Sequence, residues 1–196
     1  MSLSQSNLLA KLLAAARFTV QNPRSGARMV MNFDLPIAAR WAALALMAVA
    51  SSLLTIASMA LSPFAEDPAV QLVTGNPIVL AIFEMAVLAL AVVLMHRVGR
   101  QAGGQGSFDE ALILMVWLQT MLMILQLLQL AAQLILPPLA DIIGLLGMGL
   151  FLWLLVNFVA ELHGFRSLLL VFGGIIATGF AISLLAAVLL IAVVGV

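Results

Sequence analysis

Five stretches of this chain, roughly 37–61, 78–95, 111–136, 142–160 and 168–196, are predominantly apolar, and their only charged residues are Arg40 near the start of the first and Glu84 in the second. Each has about 18 residues or more, enough to cross a hydrocarbon core of roughly 30 Å at 1.5 Å per helical residue. Helix is the backbone that satisfies its own polar groups in lipid, and nowhere does the apolar/polar alternation of a barrel strand appear. Composition agrees: 65% of the 196 residues are apolar and 8% charged, against about 25% charged in a soluble domain. The expected fold is all-α: a polytopic membrane protein with a bundle of five transmembrane helices.

Turn chemistry separates the runs. Ser62-Pro63, Asp67-Pro68 and Gly75-Asn76-Pro77 mark the first connection, and Gly99 and Gly103-Gly104-Gln105-Gly106 the second. Pro137-Pro138 stops the third run, because neither residue can donate to the preceding turn. His163-Gly164 precedes the fifth. The last two connections are short, so the third, fourth and fifth helices are expected to be antiparallel neighbours.

The basic residues orient the bundle. Lys11, Arg17, Arg24, Arg28 and Arg40 precede or open the first run, Arg97 and Arg100 lie between the second and third, and Arg166 between the fourth and fifth. The connections at 62–77 and 137–141 have none. All eight basic residues therefore fall on one side of a five-span topology, and the positive-inside rule makes that side cytoplasmic. The expected organisation is a cytoplasmic or interfacial segment over 1–36 and a five-helix transmembrane domain over 37–196. The N-terminus is then cytoplasmic and the C-terminus periplasmic, in a bacterial inner (plasma) membrane. The first apolar stretch is interrupted by Lys11 and Arg17, so no cleavable signal peptide is expected. Residues 4–20 place Leu8, Leu9, Leu12, Leu13, Ala16 and Val20 on one helical face. Such an amphipathic helix, ended by Asn22-Pro23, suits the headgroup layer or the bundle's own cytoplasmic face, and the two are compatible.

Chemistry is sparse. There is no cysteine, which excludes disulfides, thiol catalysis and thiolate metal sites. No Ser/His/Asp grouping or zinc spacing emerges, and Gly103-Gly104-Gln105-Gly106 lacks the ending of a phosphate loop; it reads as a flexible turn. Glu161 and His163 beside Arg166 suggest an interfacial salt bridge rather than a metal site. No catalytic, cofactor or metal residues are assigned, no cofactor is expected, and basic residues set against membrane give no support for nucleic-acid binding.

Glu84 is the acidic residue well inside a span, roughly 9 Å below the end of its helix. No Lys or Arg reaches that depth, so its carboxyl is expected to be protonated and to face the bundle. Thr55, Gln129 and Ser183 fall at the same depth and, with Gln126, form an expected polar cluster. Gln119, Gln126 and Gln133 recur every seven residues and share a helix-three face. A titrating or substrate-contacting site is one use of these residues. A hydrogen-bonded cluster between helices, or across a dimer, is the other, and is favoured because a transporter usually carries more intramembrane charge.

Two segments carry a family resemblance. Gly103-Gly104-Gln105-Gly106-Ser107-Phe108 with Ala111-Leu112, and Trp153 through Glu161-Leu162-His163-Gly164 with Ser167, resemble the third-span entry and fourth-span exit of the Yip family, five-span proteins named for interaction with Ypt/Rab GTPases. The resemblance runs over about residues 20–196 and is to the family's bacterial members. Val116-Trp117-Leu118-Gln119 replaces the Tyr and Pro usual early in the third span, and Asp34-Leu35-Pro36 only echoes the N-terminal motif of eukaryotic members, so Rab binding is not carried over. The resemblance implies a non-enzymatic membrane adaptor, scaffold or membrane-organising element. Its expected partners are the lipid bilayer and a membrane protein or a second copy. The alternative is a small transporter or channel using Glu84 and the glutamine face.

Overall fold

The computed structural model describes residues 3–194; the last two residues of the fifth apolar run lie outside them. Proline placement explains much of the helix punctuation. α2 (Pro23–Met31), α4 (Pro68–Thr74), α5 (Pro77–Gln101) and α7 (Pro137–His163) each begin on a proline. The first helical position lacks an N–H partner in any case, and the ring presets φ. Asp67 caps α4 by accepting from Ala69 N–H at 2.7 Å, and Asn76 caps α5 by accepting from Ile78 and Val79 at 3.1 and 3.2 Å. The remaining helices are α1 (Leu3–Gln21), α3 (Ile37–Ala60), α6 (Phe108–Ile135) and α8 (Leu168–Val194). Among the described residues there is no strand.

Five helices, α3, α5, α6, α7 and α8, are long and apolar enough to cross a membrane, so the chain is an all-helical multi-pass membrane protein. Of the bounds that differ from the expected ones, two have a plain physical reason. α5 runs on to Gln101 through Arg97 and Arg100, because charged side chains at a helix end leave the backbone helical and reach the interface. Pro137-Pro138 stops α6 and also starts α7, so the two spans are nearly continuous with the turn.

α6 is the hub. Ala111 through Val116 are all buried, and six consecutive buried residues on a helix require neighbours on every side. Those neighbours are α2, α3, α5 and α7. α8 is peripheral: it packs on α7, and its outward face, including Leu169, Leu170 and Phe180, is exposed as a lipid-facing surface is.

α1 and α2 form a hairpin against the arginine-bearing end of the bundle. α1 buries Ala16 and Thr19 while Leu8, Leu9, Leu13, Phe18 and Val20 stay exposed. The helix thus docks on the protein by one edge and leaves a leucine-rich face free. Gly26 of α2 crosses directly over Thr19, where an added Cβ would lie 2.6 Å from Oγ1 and 2.9 Å from the Cα. The Thr19 hydroxyl donates to Ala15 O at 2.8 Å and accepts from Trp117 Nε1 of α6 at 3.1 Å, so this buried polar group is satisfied.

Candidate functional site

The arginine-bearing end holds the most specific construction in the molecule. α5 and α7 both end in Schellman turns. After α5, Gly103 adopts φ 89° and Gly104 N–H bonds to Gly99 O at 2.9 Å. After α7, Gly164 adopts φ 72° and Phe165 N–H bonds to Ala160 O at 2.8 Å. Only glycine takes that left-handed position without strain.

The two turns meet at His163, which is 4% exposed. Its Nδ1 lies 3.3 Å from Gly106 N–H and its Nε2 3.0 Å from Met95 O. A backbone N–H can only donate and a carbonyl can only accept, so Nδ1 is the acceptor and Nε2 carries the proton. The imidazole is neutral and bridges α7 to α5 and to the turn before α6. A side chain at Gly99 or Gly104 would overlap the ring, and one at Gly106 would overlap Leu162. The glycines here make room for the joint; Gly103 alone acts as the expected turn.

Ser107 then starts α6 with a capping box: Glu110 N–H donates to Ser107 Oγ at 3.2 Å, and Ser107 N–H donates to Glu110 Oε2 at 2.8 Å. Phe108 packs edge-on to His96, centroids 5.9 Å apart, and beside Trp41 at 6.1 Å.

Three arginines clasp this end. Arg28 pairs with Glu161 at 2.6 Å, and Arg24 donates to Phe165 O at 3.0 Å, tying α2 to the end of α7. Arg40 donates to Leu35 O, Phe33 O and Asp109 O, at 2.9, 3.3 and 2.6 Å, joining the α2–α3 link to the start of α6. The expected pairing of Glu161 with Arg166 is therefore corrected. Sequence proximity favoured Arg166, but α2 folds back to place Arg28 on the carboxylate. His163 takes no part in that ion pair; it is buried.

The intramembrane residues divide among several helices. Gln126 Nε2 donates to Thr55 Oγ1 at 3.2 Å. Gln133 accepts from Ser58 Oγ at 2.9 Å and donates to Ser58 O at 3.1 Å. Gln129 turns the other way, toward Gly144 of α7, where an added Cβ would lie 2.9 Å from its amide nitrogen. Gln119 lines a cavity between α5 and α8. The single glutamine face is thus split, because α6 has neighbours all round.

Glu84 meets Ser51 of α3, and its Oε2 has no hydrogen-bond partner among the described residues. Thr55 is one turn further along α3. Depth reckoned from the ends of the apolar runs displaced the pair by that turn, about 5.4 Å. Ser183 is exposed on α8, which stands on α7 away from α3 and α6. The expected single layer of Thr55, Glu84, Gln126, Gln129 and Ser183 is replaced by separate contacts. Among the described residues no group of three or more His, Asp or Glu side chains is placed to hold a metal ion.

The family model described as the Yip1 domain matches residues 19–191. Comparison with curated proteins and with solved structures finds no match. The glycine-Ser-Phe and Glu-Leu-His-Gly segments that carried the resemblance meet in one joint at His163, and the matched span takes in all five apolar helices: the chain belongs to the Yip1-domain family of membrane proteins.

Proposed function

We propose that this chain is a non-catalytic membrane protein acting through protein and lipid contacts, as an adaptor, scaffold or membrane-organising element. It sits in the inner (plasma) membrane with its N-terminus cytoplasmic and its C-terminus on the far side. The observation that carries this reading is how the intramembrane polar groups are used. Gln126 and Gln133 are bonded to Thr55 and Ser58 of α3, so these two amides tie α6 to α3, and Gln129 lies against α7. The orientation rests on the eight basic residues sharing one side. The α1–α2 hairpin, clasped by Arg24 and Arg28 and carrying a free leucine face, supplies a surface for a partner or the headgroup layer. Purification of the full chain in mild detergent tests this reading. A stoichiometric protein companion that is lost on Leu9→Asp/Leu13→Asp substitution supports it; a chain that purifies alone and catalyses solute flux opposes it.

One observation favours the second reading, a small transporter or channel: the buried Glu84 Oε2 lacks a hydrogen-bond partner among the described residues. Solute flux in proteoliposomes that disappears in Glu84→Ala, with the fold intact, supports that reading over the first.

A further inference from the structure

Between α5 and α8 runs a trench of about 730 Å³, within the roughly 300–1,000 Å³ of small-molecule sites. Its walls are the α5 face from Val87 to Ala102 and the α8 face from Leu170 to Ile182, floored by residues of α6 and α7. At 1.5 Å per residue the α5 wall spans about 22 Å and the α8 wall about 18 Å. Half of a hydrocarbon core is about 15 Å, so the trench runs from the arginine-bearing interface past the midplane. α8 creates it by packing on α7 and standing off α5. The trench is wide at Gly174 and Gly179, where an added Cβ would meet nothing within 4 Å.

The trench is lined mainly by apolar side chains, with Gln119 and Thr178 among them, and is basic at one end. Arg166 lines that end, is exposed, and has no ion-pair or hydrogen-bond partner among the described residues. Arg100 follows the lining residue Gly99, and Arg24 reaches the carbonyl of Phe165, another lining residue. An occupant must therefore be long, apolar and anionic at its interfacial end. The α8 of a second copy could not meet Arg166 with an acid, since that helix carries no Asp or Glu.

We propose that the trench binds one diacyl lipid with an anionic phosphodiester headgroup, an acyl chain lying between α5 and α8 and the phosphate on Arg166. This names a ligand site and does not depend on which role under the proposed function is correct.

Native mass spectrometry of the full chain, titrated with phosphatidylglycerol or phosphatidylcholine, tests it. Wild type is expected to retain one phosphatidylglycerol in preference to phosphatidylcholine. Arg166→Gln should reduce that preference about fivefold, the effect of one basic residue at the interface. Gly174→Phe should fill the trench and abolish retention of both lipids, while Gly173→Phe, on a residue that does not line it, should retain them. Arg166→Gln leaves the walls intact and keeps the test decisive if Gly174→Phe misfolds. Equal retention of the two lipids by wild type, or undiminished retention in a folded Gly174→Phe, overturns the proposal. So does efficient disulfide dimerisation of Thr178→Cys, which shows a second copy seated in the trench.

Discussion

At Gly99 and Gly104 the absence of a side chain lets the His163 ring lie flat between two helix ends. Gly99→Ala is expected to lower stability by about 1–3 kcal/mol, the usual cost of overpacking, seen as a lower temperature of thermal aggregation in detergent. His163→Ala removes the obstacle but orphans Gly106 N–H, so the double substitution should cost clearly less than the sum of the singles; full additivity would deny the contact. The glutamines separate in the same assay. Gln126→Leu loses the bond to Thr55, about 0.6 kcal/mol on average for such a bond in a membrane. Gln119→Leu, facing the apolar trench, should be neutral or stabilising. Equal losses at both positions would contradict their different surroundings. None of this division was legible in the sequence. Spacing put Gln119, Gln126 and Gln133 on one face, but which neighbour each meets depends on how many helices surround α6. His163 was likewise misread as interfacial, because the groups that bury it, Gly106 and Met95, lie 57 and 68 residues away in the chain.

The five spanning helices were legible, since burial in lipid demands long unbroken apolar runs and lets few other patterns pass. The short helices were not. α2 is nine residues long and α4 seven, too short for periodicity to declare. α4 is set by Pro68 and the Asp67 cap, whereas α2 starts on Pro23 with no side-chain cap and is held by its buried face of Pro23, Gly26, Ala27 and Val30. The α1 leucine face was legible; its docking edge at Ala16 and Thr19 was not, because it depends on Gly26 crossing it. Gly26→Ala should therefore loosen the hairpin. Limited trypsinolysis at Arg17 and Arg24 reports it: cleavage is expected to accelerate markedly in Gly26→Ala. Glu161→Gln should change it little, since the pair includes a largely exposed Arg28 and exposed pairs contribute about 0–1 kcal/mol. Faster cleavage in Glu161→Gln than in Gly26→Ala would reverse that ranking.

At the scale of the molecule, the arginine-bearing end is tightly joined and the opposite end is loosely built. His163, the capping box at Ser107 and the arginine clasps all lie at the first, so opening is expected to begin elsewhere, at the peripheral α8 and the α4 connection. The charge asymmetry that orients the chain is partly the same set of residues that holds it together: Arg24, Arg28 and Arg40 each bond to another part of the fold. The natural absence of cysteine makes sidedness directly measurable. Single cysteines are introduced at Asp67, Leu139, Gln105 and Ser25, and intact cells are exposed to a membrane-impermeant maleimide before and after permeabilisation. Five spans with the arginines inside predict labelling of Asp67→Cys and Leu139→Cys in intact cells, and of Gln105→Cys and Ser25→Cys only after permeabilisation. Labelling of Asp67→Cys and Gln105→Cys from the same side would contradict the five-span arrangement.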